Sequence, residues 1–71
     1  MVDMDQLKRV IEDSGMTMTA IAEKAGMTRA TLYNRLAGAG EVTVSEAYGL
    51  ATALHMTNDQ RNSIFFAEKV V

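Results

Sequence analysis

The sequence predicts an all-α fold, a bundle of five short helices, on three observations. Proline is absent, apolar residues recur three and four apart, and each apolar segment follows a residue able to cap a helix. Asp3 and Gln6 form a cap pair ahead of Leu7, Val10 and Ile11, which share one face, and Ser14-Gly15 ends that helix. Thr17 caps a second helix carrying Ile21, Ala22 and Ala25, which Gly26 stops. Thr28 caps a third, with Leu32 and Leu36 turned inward and Gly38 at its end. Thr43-x-x-Glu46 opens the fourth as a capping box, ahead of Ala47, Leu50, Ala51 and Leu54. Thr57-x-x-Gln60 opens the fifth in the same way, ahead of Ile64, Phe65 and Phe66. The helices are placed near residues 3–14, 17–25, 28–37, 43–55 and 57–68 of one domain covering 1–71, with 67–71 expected to fray.

Composition narrows the function. A chain of 71 residues has room for one small core and none for a deep substrate pocket. Cysteine is absent, which excludes disulfides and thiolate metal clusters. No apolar run approaches a membrane span, and no charged segment leads into a signal-like apolar one, so a cytoplasmic helical domain is expected. The net charge of −2 argues against nucleic acid, but its distribution does not. Between Lys24 and Gly40 the only charged residues are Lys24, Arg29 and Arg35; the rest holds four cations against nine anions. A basic island in an acidic shell suits a molecule that offers one face to phosphate.

That island lies on the most informative segment, TMTAIAEKAGMTRATLYNRL, from Thr17 to Leu36. Only Gly26-Met27 separates two helices of about eight residues, and so short a link forces the sharp angle of a helix-turn-helix. Gly26 supplies the positive φ of the turn, and Ala22 is small enough for a close crossing. Ile21, Ala25, Met27 and Leu32 are expected to fill the wedge between the helices. With Leu32 and Leu36 inward, Arg29, Ala30, Tyr33 and Asn34 face outward on the third helix. Arginine suits guanine O6 and N7, asparagine suits adenine N6 and N7, and an alanine methyl suits thymine. Thr17 and Thr28 at helix starts, the Tyr33 hydroxyl and Lys24 suit phosphate oxygens. Arg35 is either a further phosphate clamp or a partner in a surface salt bridge. Three cations per subunit in a bound dimer predict a salt slope near −5, from about −0.9 per neutralised phosphate.

The segment AIAEKAGMTRATLYNRLAG resembles the helix-turn-helix of the lambda-repressor-like (Cro/C1-type, xenobiotic-response-element) regulators. With EVTVSEAYGLATALHMT and RNSIFF after it, the pattern is similar to small Cro-like or repressor-like proteins of phages and prophages in Gram-positive bacteria. The resemblance runs from Leu7 to Glu68 and implies a non-enzymatic transcription regulator that binds a double-stranded operator through its third helix. It also implies that Thr28, Arg29, Ala30, Tyr33 and Asn34 face DNA. Two positions depart from the family pattern. Met18 stands where glutamine is common, and Gly38-Ala39-Gly40-Glu41 replaces a loop that often holds lysine.

Other readings are weaker. His55, the only histidine, sits near a helix C-terminus, where the dipole favours it. Ser14, Ser45 and Ser63 lie in no nucleophile elbow, and Asp3 and Asp5 match no calcium loop. No cofactor, metal site or small-molecule substrate is indicated. A protein-interaction module, such as an anti-repressor, is the alternative. Neighbouring side chains on a helix stand about 100° apart, so Ile64, Phe65 and Phe66 cannot all enter one core. Phe65, Phe66 and Val70 are therefore expected to form the contact of a weak homodimer.

Overall fold

A computed structural model describes residues 2–66. The chain forms α1 (Met4–Ser14), α2 (Met18–Ala25), α3 (Arg29–Leu36), α4 (Val44–Ala53) and α5 (Asn58–Phe65). Each expected cap is made: Asp3, Thr17, Thr28, Thr43 and Thr57 each accept from the backbone N–H three residues on. The helices are shorter than expected because the capping residues lie outside them. The third helix ends at Leu36 rather than residue 37, and the fourth at Ala53 rather than 55. The part of the fifth placed at 67–68, and the frayed end, lie outside the described residues.

The first cap pair forms only in half. Asp3 accepts from the Gln6 N–H at 3.0 Å, but the Asp3 N–H donates to the Ile64 carbonyl at 2.8 Å. That bond ties the start of α1 to the end of α5 and leaves Gln6 no donor to reciprocate. The boxes at Thr43/Glu46 and Thr57/Gln60 close in both directions.

Every helix contributes one side chain with no exposed surface: Leu7, Ile21, Leu32, Leu50 and Ile64. Burying each stabilises the fold by about 1.5–3 kcal/mol, so the core joins all five elements. The second helix packs most extensively on α4, while α3 leans on α2 and α5 on both α1 and α4. The α2–α4 crossing is close enough that a Cβ at Gly49 would collide with the backbone carbonyl of Ala25.

Three helices end in the same way, with paired bonds back from the two residues past the cap. Met27 and Gly26 donate to the carbonyls of Ala22 and Glu23, and Ala39 and Gly38 donate to Asn34 and Arg35. After α4, Met56 and His55 donate to Ala51 and Thr52. Gly26 and Gly38 take the left-handed residue of this motif at φ 76 and 83°, and His55 takes it at 54°.

Candidate nucleic-acid interface

The interface candidate is built from α2, its turn and α3. Left-handed Gly26 reverses the chain, Met27 packs half-buried on the core, and Thr28 caps α3 directly. Ile21 and Leu32 are fully buried at the wedge between the helices, with Ala25 and Met27 packed beside them. Once Leu32 enters the core, helical geometry decides what faces out. Arg29, Ala30, Tyr33 and Asn34 are all exposed, and Leu36 is half-buried against the core. The four expected base-reading residues are therefore brought together on one face of α3.

Their side chains differ in state. The Arg29 guanidinium lies 5.2 Å from the centroid of the Tyr33 ring, and its Nη2 donates to the Tyr33 hydroxyl at 3.4 Å. Asn34 makes no side-chain hydrogen bond among the described residues, so its amide is free to pair with a ligand.

The residues expected on phosphate also separate. Thr17 is exposed and its Oγ1 accepts from the Ala20 N–H at 3.1 Å, which leaves the hydroxyl proton for another acceptor. Thr28 Oγ1 accepts from the Thr31 N–H at 3.1 Å and shares a 2.9 Å contact with the Thr31 hydroxyl, so it is more fully engaged. Lys24 is exposed in the last turn of α2 and forms no ion pair among the described residues.

Arg35 takes the salt-bridge alternative. Its Nε donates to Glu46 Oε1 at 3.0 Å and its Nη2 to Oε2 at 3.3 Å, while Nη1 donates to the Ala39 carbonyl at 3.1 Å. The guanidinium is thus turned toward α4 and the loop, not outward with Arg29. Glu46 Oε1 also accepts from the Thr43 N–H at 2.9 Å. The Arg35 guanidinium, followed by the Thr43 N–H, holds the Glu46 carboxyl below its ordinary value of 4.5. One carboxylate thereby caps α4 and anchors the end of α3.

Sequence reasoning missed this pairing, since eleven residues separate its partners. It also missed Gly49, whose signal was a lone glycine inside a helical pattern. The expected dimer contact is corrected at Phe65, which is 6% exposed and part of the core. Phe66 stays at the surface, 38% exposed, with its ring 5.9 Å from that of Tyr48. Val70 lies outside the described residues.

Elsewhere, an open groove of about 510 Å³ is lined by Val2, Met4, Val42 and Phe65, with Glu41 as its one ionisable side chain. Among the described residues no His, Asp or Glu cluster is gathered that could hold a metal ion. No described helix is long and apolar enough to cross a membrane.

Comparison with curated proteins and with solved structures returns no match. The family comparison does. Residues 7–57, from the buried Leu7 of α1 to the Thr57 cap of α5, match a family described as helix-turn-helix, whose members are DNA-binding regulators. The match spans the two-helix unit and the scaffold that carries it, and the chain belongs to the lambda-repressor/Cro-like helix-turn-helix family.

Proposed function

We propose that the chain is a sequence-specific transcription regulator, a phage or prophage repressor or Cro-like protein, that inserts α3 into the major groove of a double-stranded operator. The observation that carries this reading is the exposed face of α3. It gathers Arg29, Ala30, Tyr33 and Asn34, with no acidic residue between Lys24 and Gly40. Arg29 is assigned to guanine, Asn34 to adenine, Ala30 to a thymine methyl, and Tyr33 to the same groove. Thr17, Lys24 and, through its N–H groups, the Thr28 end of α3 are assigned to the phosphate backbone. Arg35 acts indirectly, by fixing α3 against α4.

Without Arg35, Lys24 and Arg29 are the two cations left on this face. With Arg29 assigned to guanine, Lys24 is the cation of each subunit left for phosphate, and for a bound dimer the slope of log affinity against log salt falls to about −2, from about −0.9 per neutralised phosphate. Selection from a random duplex library tests the reading. A recovered motif with two half-sites about 34 Å apart is the expected result for a two-fold dimer. Recovery of no motif would overturn sequence-specific binding.

The second copy is proposed to pack on the surface of Phe66 and Tyr48, which are 38% and 48% exposed. A ring of this kind buries at most about 150–250 Å², so the dimer is weak in solution and tightens on DNA. Light scattering over a concentration series, with Phe66→Lys as control, checks it. A wild-type monomer that also binds DNA one copy at a time would discard the dimer.

A further inference from the structure

Arg29 and Tyr33 stand one turn apart on α3, and their side chains do not act separately. The guanidinium of Arg29 lies over the Tyr33 ring at 5.2 Å from its centroid. The same group donates from Nη2 to the Tyr33 hydroxyl at 3.4 Å. Both residues are exposed, so the contact is one the two side chains choose in water rather than one forced by burial. Arginine is among the side chains with most rotamer freedom to lose, and freezing it opposes any two-point contact with a base.

We infer that Tyr33 is a positioning residue for Arg29, and that the two together read one guanine instead of two bases. This rests on the reading of α3 given above. Guanidinium carries five N–H donors; the tyrosine hydroxyl occupies one, and the four that remain include a pair matched to guanine O6 and N7. The ring face steadies the plane of the group, and the hydroxyl fixes its rotation about the side-chain axis. Asn34, next in sequence to Tyr33, has no such partner among the described residues and serves as the independent reader on the same face.

The test uses the full chain, an operator selected from a random duplex library, and a set of duplexes with each base pair replaced singly. Arg29→Ala should relax discrimination at one G·C pair by about 5- to 150-fold. Tyr33→Leu should relax that same pair by about 2- to 5-fold, the range of an exposed cation–π contact. The double variant should be no worse than Arg29→Ala alone. Tyr33→Phe, which keeps the ring, should lose less than Tyr33→Leu. Asn34→Ala should relax a different pair, and its loss should multiply with that of Arg29→Ala.

One readout needs no DNA. In the free protein the Arg29 side-chain protons should carry a ring-current shift that Tyr33→Leu abolishes. The inference is overturned if that shift is absent, if Tyr33→Leu relaxes a pair other than the one Arg29 reads, or if the two losses multiply. An Arg29→Ala protein that discriminates like the wild type at every pair overturns the reading of α3 itself. A persistent ring-current shift would then mark the contact as structural, which keeps the two failures apart.

Discussion

The end of α2 meets two neighbours within two residues, and a glycine stands at each meeting for an opposite reason. At the turn into α3, Gly26 has φ 76° and open space where a Cβ would go. At the crossing with α4, Gly49 lies inside a regular helix, but a Cβ there would collide with the carbonyl of Ala25. The first position needs a backbone angle, and the second needs missing volume. One sets the angle between the helices of the DNA-binding unit; the other sets how closely that unit sits on its scaffold. A conformational requirement is local and can be relieved by any residue that tolerates the angle. A steric requirement against backbone is satisfied only by moving a helix.

The largest expected effect follows at the crossing. Alanine is the better helix former by about 1 kcal/mol, so on propensity alone Gly49→Ala would stabilise α4. Displacement of α2 against backbone should cost about 3 kcal/mol and outweigh that gain, for a net loss of about 2 kcal/mol, a large share of the stability of so small a domain. Urea unfolding measures it. A stabilised Gly49→Ala protein would mean that α2 and α4 can separate at little cost, and would break the distinction between the two glycines.

The far end of α3 is held by charge in place of a glycine contact. Glu46→Ala removes the paired acceptor of Arg35 and the return bond to the Thr43 N–H together, and should cost about 1–2 kcal/mol. The sign of the pH dependence is fixed by the same bonds. The Glu46 carboxyl titrates lower in the folded chain than its ordinary 4.5. Its contribution is therefore fully present above about that pH and is lost as pH falls through the folded value. The stability gap between wild type and Glu46→Gln should be constant from pH 7 to 5 and narrow below 4.5. A gap that widens with acid would sink this assignment.

Gly26→Ala is the smaller loss of the glycine pair. The left-handed angle costs an ordinary residue about 1–2 kcal/mol, while the unfolded chain loses some freedom in compensation, so about 1 kcal/mol is expected. Gly26→Asn should cost less than Gly26→Ala, since asparagine tolerates this region. Equal losses for the two would show that the space at the turn, and not its angle, is what matters.

What the sequence made legible follows the same division. Caps, helix ends and the outward residues of α3 depend on a few neighbours along the chain, and Thr17, Thr28, Gly26, Arg29 and Asn34 could be placed from spacing alone. Gly49 could not, because its reason is a carbonyl on another helix. Nor could the choice between phosphate and Glu46 for Arg35, whose partner comes from across a loop. Helical rotation required one residue of the Ile64-Phe65-Phe66 run to face out, but only the packed core decides that Phe65 goes in and Phe66 stays at the surface. The first cap pair forms only in half for a similar reason. Asp3 caps locally, and the distant Ile64 carbonyl takes the bond that Gln6 would have received.

The smallest effect has the opposite sign and comes from His55, at the end of the fourth helix. The sequence places it where the helix dipole favours a histidine, and the structure gives it a backbone role. It occupies the left-handed position after α4 at φ 54°, with its N–H on the Thr52 carbonyl at 3.2 Å and the Met56 N–H on Ala51 at 2.9 Å. These are the bonds that Gly26 and Met27 make after α2, from a residue that carries a Cβ. If the angle is what that position requires, His55→Gly should relieve the strain. Glycine enlarges the unfolded ensemble and forfeits any interaction of the imidazole with the helix end, so the gain should be modest, about 0.5–1 kcal/mol. His55→Ala separates the effects, since it removes the imidazole but keeps the strained Cβ, and it should be neutral or slightly destabilising. Measured by urea unfolding, glycine should exceed alanine by about 1 kcal/mol. A His55→Gly protein no more stable than His55→Ala would show that the turn after α4 is held by packing around Leu54 and Met56, and that its likeness to the Gly26 turn ends at the hydrogen bonds.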